Sequence, residues 1–235
     1  MSDEAKNVKA KKAGVIARVF FLPIIAMGIV FLSILISVAI EWLGIGFGWW
    51  VTLFDQHGSD HAYQTLQSDL GWIDIGYKKS IFFENPGQEL GNWVQNIYRW
   101  LFIKTGITSF VDVNIGKNGW LGAIAEYLKA AMYIVLTTLV RLMILLLTSP
   151  LFLLAAVVGF VDGLVRRDLR KAGAGRESAF IYHHAKRAVS PVFIIDWLLY
   201  LSLPFSVHPN WFLLPNAFLF GLFISIASGS FKKYL

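Results

Sequence analysis

Two ionisable side chains lie inside long apolar runs of the sequence, Arg141 in the run 130–161 and Asp196 in the run 191–207. A buried charge is costly, so such a residue marks an ion pair, a path for a solute, or an anchor reaching for a polar boundary. Position argues against pairing the two with each other. Arg141 lies near one end of its run and Asp196 about 5 residues in from the opposite end of its own, which separates them by ~20 Å along simple helices. Arg141 is therefore expected to snorkel outward, and Asp196 to meet a basic loop residue or a backbone donor.

Other chemistry-bearing residues cluster less well. Asp55, His57, Asp60 and His61 fall within seven positions, and the histidines are spaced i, i+4 as on one helical face. That spacing suits zinc, yet Gly58 interrupts it and no third well-spaced ligand follows, so a solvated turn is expected and no metal site is assigned. The adjacent His183 and His184 diverge by about 100° on a helix and make a poor chelate. Ser178 has no carboxylate placed to orient a histidine base, and the Ala-Ser-Gly-Ser run at 227–230 has no histidine on another apolar run to activate it. With no cysteine, disulfide and thiolate chemistry are excluded. The expectation is a protein without catalytic residues, cofactor or metal.

The elements that position these residues follow from composition. Hydrophobic residues make up 56% of the 235 and charged residues 15%, a balance that a soluble domain could not keep from aggregating. Four apolar runs account for it: 19–40, 130–161, 191–207 and 211–230. The first is 22 residues without a charge, ~33 Å of helix and long enough for a hydrocarbon core of ~30 Å. Its length favours an uncleaved anchor over a signal peptide, whose apolar core runs only ~7–15 residues. The second, 32 residues broken only by Arg141, is expected to cross once and protrude at its outer end, with Pro150 kinking it. The third and fourth are separated by His208, Pro209 and Asn210 and form a hairpin, with Pro204 and Pro215 bending its arms.

Charge fixes the orientation. Segments 1–18, 162–190 and 231–235 hold fourteen of the 21 Lys and Arg against five acids, a balance of +9; segment 41–129 holds six against nine, or −3. The positive-inside tendency then places both termini in the cytoplasm. The fold expected is an all-α integral membrane protein with four transmembrane helices, N-in/C-in. Segment 1–18 is a basic cytoplasmic N-terminus, 41–129 an extracytoplasmic helical insertion between spans 1 and 2, 162–190 a basic cytoplasmic loop, and 231–235 a tail. Within the insertion, Leu90, Trp93, Val94, Ile97, Tyr98 and Leu101 recur at near-helical spacing after an Asn85-Pro86-Gly87 turn, and 61–70 forms a second short helix. Small residues on span four (Gly221, Ser225, Ala227, Ser228, Gly229) suit close packing against another helix.

The loop 162–190 is the most distinctive segment. Arg166, Arg167, Arg170 and Lys171 complement a helix C-terminus and anionic headgroups, Gly173 and Gly175 end that helix, and 177–189 can begin an interfacial one. Gly175-Arg176-Glu177-Ser178, followed by Tyr182-His183-His184-Ala185-Lys186-Arg187, resembles the signature of a family of membrane proteins of integrating conjugative elements and related plasmids. The four-span layout is similar too. That resemblance implies a setting of conjugative type IV secretion, near the coupling ATPase that brings DNA to the channel, and carries over no catalytic residue. Together these observations point to a non-enzymatic inner-membrane component of a DNA-transfer apparatus. Its docking face for the coupling ATPase or another secretion subunit would be Arg176, Glu177, Tyr182, His183, His184, Lys186 and Arg187. Membrane lipids are the other expected partner. Seven cations against three acids in the loop are too few to favour direct nucleic-acid contact. The alternative is a small transporter or lipid-handling protein using Arg141 and Asp196.

Overall fold

The computed structural model describes residues 15–76, 86–173 and 179–230. Among the described residues all regular structure is helical: α1 (Val15–Phe47), α2 (Trp49–Phe54), α3 (Asp60–Gly76), α4 (Pro86–Tyr98) continued by a π-turn (Arg99–Ile103), α5 (Ile107–Asn114), α6 (Trp120–Ala172), α7 (Ala179–Ser202) and α8 (Pro209–Gly229). Three of these helices are long and apolar enough to cross a membrane, at Pro23–Phe47, Trp120–Arg170 and Pro209–Gly229. In α7 the apolar part is shorter, Phe193–Ser202. The expected interfacial helix and third span are one continuous helix, and Pro191 lies inside it.

Helix α6 organises the molecule. Its 53 residues, ~80 Å of helix, run unbroken through Pro150. Proline has no N–H for the carbonyl four residues back, and the Ser149 hydroxyl supplies a donor to that Leu146 carbonyl at 2.7 Å. Around α6 the other long helices alternate in direction. Trp42 of α1 donates to the Tyr127 carbonyl, while Val38 packs beside Ala130 and Ile134, so α1 runs antiparallel to α6. Arg141 meets the Tyr200 carbonyl and Phe152 meets Phe193, so α7 is antiparallel as well. Gly159 approaches Gly221 and Gly163 approaches Ser225, which makes α8 parallel to α6. The core sits at the middle of α6, where Val140, Ile144 and Leu145 are fully buried with Leu201 and Leu213 of the neighbouring helices.

The hairpin turn differs from expectation. Helix α7 stops at Ser202 and α8 starts at Pro209, so the connection is 203–208 and not 208–210. Pro204 ends α7 because it brings no N–H and disfavours helical backbone at Leu203 before it. Pro209 then occupies the first turn of α8, and His208 caps it by accepting the Asn210 N–H on Nδ1 at 3.2 Å. Pro215, by contrast, lies inside α8 as expected.

Candidate functional site

The middle and the C-terminal part of α6 carry different chemistry. At Arg141 the chain builds a closed polar centre. The Arg141 Nε donates to Asp69 Oδ2 at 2.6 Å, Nη1 to the Leu203 carbonyl at 2.5 Å and more weakly to Tyr200, and Nη2 to the Phe205 carbonyl at 3.0 Å. Ser206 Oγ donates to the second Asp69 oxygen at 2.5 Å and itself accepts from Trp72 Nε1 at 2.9 Å. One guanidinium thus ties α3, α6 and the α7–α8 turn together, using carbonyls that the end of α7 leaves without helical partners.

Arg141 is 2% exposed and does not snorkel, which corrects the expectation from sequence. Its acceptors lie about 60 to 70 positions away in the chain, so no local pattern announces them. Burial pushes the Asp69 carboxyl above its ordinary range, while Arg141 and the Ser206 hydroxyl pull it back.

A second buried pair stands nearby. Glu41, fully buried near the C-terminal end of α1, contacts His61 Nδ1 at 2.9 Å, and the His61 ring stacks on Trp50 at 3.9 Å between centroids. Trp50 Nε1 donates back to the Glu41 carbonyl at 3.3 Å. His61 therefore turns inward while Asp55, His57 and Asp60 are exposed, and the four do not converge. Gly58 between them has φ +55°, and a Cβ there would run into the Glu126 carboxylate that accepts the Ser59 N–H at 2.7 Å. Among the described residues no cluster of three metal-ligating side chains occurs.

Sequence reasoning missed Asp69 and Glu41. Asp69 lies on the buried stripe Ala62, Leu66, Asp69 and Ile73 of α3, and a carboxylate on an apolar stripe at helical spacing was the available signal.

Asp196 is 8% exposed, and among the described residues no hydrogen bond or ion pair reaches it. The expected contact with a loop cation or backbone donor is absent there. Trp197 Nε1, Ser33 Oγ and Ser202 Oγ are also buried without a partner among the described residues.

In the C-terminal part of α6 the contact with α8 is made by small residues. Ala155, Gly159 and Gly163 recur every four positions and face Ala217, Gly221, Ser225 and Gly229 at the same spacing. A Cβ on Gly163 would lie 2.5 Å from the Ser225 carbonyl, and one on Gly221 2.8 Å from that of Ala155, so the backbones touch. Beside this contact is a cleft of about 250 Å³ lined by Val158, Phe218 and Leu222, with Asp162, Arg166 and Ser225 at its polar end. Asp162 accepts from Ser225 Oγ at 2.5 Å and pairs with Arg166 Nε at 2.9 Å, both side chains well exposed. Arg167 pairs with Asp168 at 3.4 Å.

Of the docking residues expected from sequence, Arg176 and Glu177 lie outside the described residues. Tyr182, His183, His184 and Lys186 fall on the first turns of α7, with side chains outside the description, and Arg187 is exposed on the same helix.

No curated protein matches this chain, and no solved structure does. Residues 53–232 match the model of a family described as IncC plasmid conjugative DNA transfer protein DtrJ-like. That match takes in everything from the end of α2 through α8, both ends of α6 included, and the chain belongs to this DtrJ-like family of conjugative DNA transfer proteins.

Proposed function

We propose that the protein is a non-enzymatic inner-membrane component of a conjugative type IV secretion apparatus that docks the coupling ATPase through its basic cytoplasmic end. The family match over 53–232 carries the reading, because it ties the helices from the end of α2 through α8 to conjugative DNA transfer. In the proposed topology α1, α6, α7 and α8 all cross, N-in/C-in. The support is that α7 runs antiparallel to α6 and is joined to α8 by a short turn beside Arg141, so the hairpin goes and returns within the depth of the bundle.

Charge placement supports the docking half of the reading. Arg141 is consumed by Asp69 and backbone carbonyls, whereas Arg166 and Arg187 at the basic end are exposed to a partner. An acidic surface on an ATPase would complement that end. Purification of the tagged protein in mild detergent from cells carrying its native gene neighbourhood tests this. Stoichiometric recovery of the ATPase is expected, and recovery of the protein alone would count against docking. Arg176→Ala with Glu177→Ala should reduce DNA transfer while membrane insertion persists.

The transporter or lipid-handling reading keeps one observation in its favour, the buried Asp196, which no hydrogen bond or ion pair reaches among the described residues. It loses Arg141, whose guanidinium is already held by Asp69 and three backbone carbonyls. Asp196→Asn would abolish flux through a path and only lower the yield of a structural helix.

A further inference from the structure

The cleft beside the α6–α8 contact has the form of a lipid site. Its walls are apolar and small along most of their length, formed by Ala155, Val158, Gly159, Phe218, Gly221 and Leu222. Only one end is polar, where Asp162, Arg166 and Ser225 meet. A narrow apolar slot of about 250 Å³ closed by a charge at one end matches an acyl chain below a headgroup.

The polar end selects the sign of that headgroup. Asp162 accepts a hydrogen bond from Ser225 Oγ and is paired with Arg166 Nε. Arg166 meets Asp162 through Nε, and its side chain is 65% exposed, so the guanidinium remains accessible at the mouth of the cleft. Arg170 follows one turn later on the same helical stripe. Segment 162–171 carries four cations against two carboxylates, so the potential above the cleft is positive. Basic pockets between membrane helices at the cytoplasmic boundary favour anionic headgroups for this reason.

We infer that this cleft holds one chain of an anionic phospholipid, with the lipid phosphate on the Arg166 guanidinium. The inference rests on the membrane-spanning reading of α6 and α8, which sets the Asp162 end at the cytoplasmic boundary. A lipid held there would complete the surface that faces a docking partner, and would make the basic end sensitive to the composition of the inner leaflet.

The test is native mass spectrometry of the full-length protein in nonionic detergent, titrated with dioleoyl phosphatidylglycerol or dioleoyl phosphatidylcholine. One tightly held phosphatidylglycerol per chain is expected, favoured over phosphatidylcholine by roughly tenfold, the worth of one charge-assisted contact. Arg166→Gln should erase that preference. Val158→Trp fills the slot from its exposed wall and should weaken retention of either lipid. Equal binding of both lipids by wild type and both variants would overturn the site, leaving annular lipid only. Glycerol 3-phosphate competing fully for the site would overturn the lipid assignment in favour of a phosphate site. A co-purifying membrane protein lost from Val158→Trp, with no lipid retained by wild type, would overturn it in favour of a partner helix. Carbonate extraction separates the two levels of failure. A chain released from the membrane fraction would overturn the spanning reading together with the site, whereas a retained chain that shows no lipid preference overturns the site alone.

Discussion

The middle of α6 and its C-terminal part gather the same kinds of residue, an arginine, an aspartate and a serine, and do opposite things with them. At Arg141 the arginine and aspartate are buried and the serine partly so, drawn from α6, α3 and the α7–α8 turn, and locked by carbonyls and Trp72. At Arg166 the arginine and aspartate belong to one helix at i, i+4 and are exposed, and the serine alone comes from α8. These centres lie 25 positions apart on one helix, ~38 Å. The difference teaches that charge type alone does not mark a functional site in this chain. Long-range burial turns an arginine into a rivet, and local exposure leaves it available to a ligand or partner.

Stability measurements in detergent give ways to break that comparison. Arg141→Ala should have the largest effect, about 3–5 kcal/mol, because it strands the buried Asp69 carboxylate and opens three carbonyls. Arg141→Met combined with Asp69→Leu should recover much of that loss, since the pair is held against its own desolvation. If the single variant unfolds at the wild-type temperature, the rivet does not exist.

Next in size is His61→Phe, which keeps a ring on Trp50 but removes the partner of buried Glu41, at about 3 kcal/mol. Thermal unfolding of His61→Phe with and without Glu41→Gln reads the coupling. Gly159→Leu should cost about 2–3 kcal/mol because the Gly221 backbone fills the space, and Gly28→Leu within about 0.5 kcal/mol because nothing lies near its Cβ. Equal effects at the two glycines would sink the small-residue contact.

The smaller effects sharpen the contrast. Trp72→Phe should lose about 1 kcal/mol with its hydrogen bond to Ser206. Arg166→Ala, in lipid-free detergent, should change the unfolding midpoint least, by under about 1 kcal/mol, as an exposed i, i+4 pair does. A loss at Arg166 as large as that at Arg141 would erase the distinction between the two centres.

Much of the architecture was legible because it is written in local pattern. The charge-free run at 19–40 and the long run at 130–161 both reappear as helices. The stripe from Leu90 to Leu101 likewise reappears as α4 and its π-turn, beginning at Pro86. The third run was read as separate from the loop helix before it. The two are one helix, which continues through Pro191, as helices can when neighbouring groups absorb the lost bond. The polar centres were much less legible. Arg141 was visible as a charge out of place, but nothing near it named Asp69, Leu203 or Phe205.

By itself the sequence determined where helices form and how apolar they are, because both depend on residues within a few turns of one another. It also determined the segregation of cations to the segments flanking the apolar runs, which is a matter of counting. Only the tertiary structure decided what the buried charges do. The partners of Arg141, Glu41 and the glycines of α6 come from helices 20 to 70 positions away, brought into contact by packing around one long helix. A side chain's electrostatic role follows from that three-dimensional surrounding, and local pattern does not encode it.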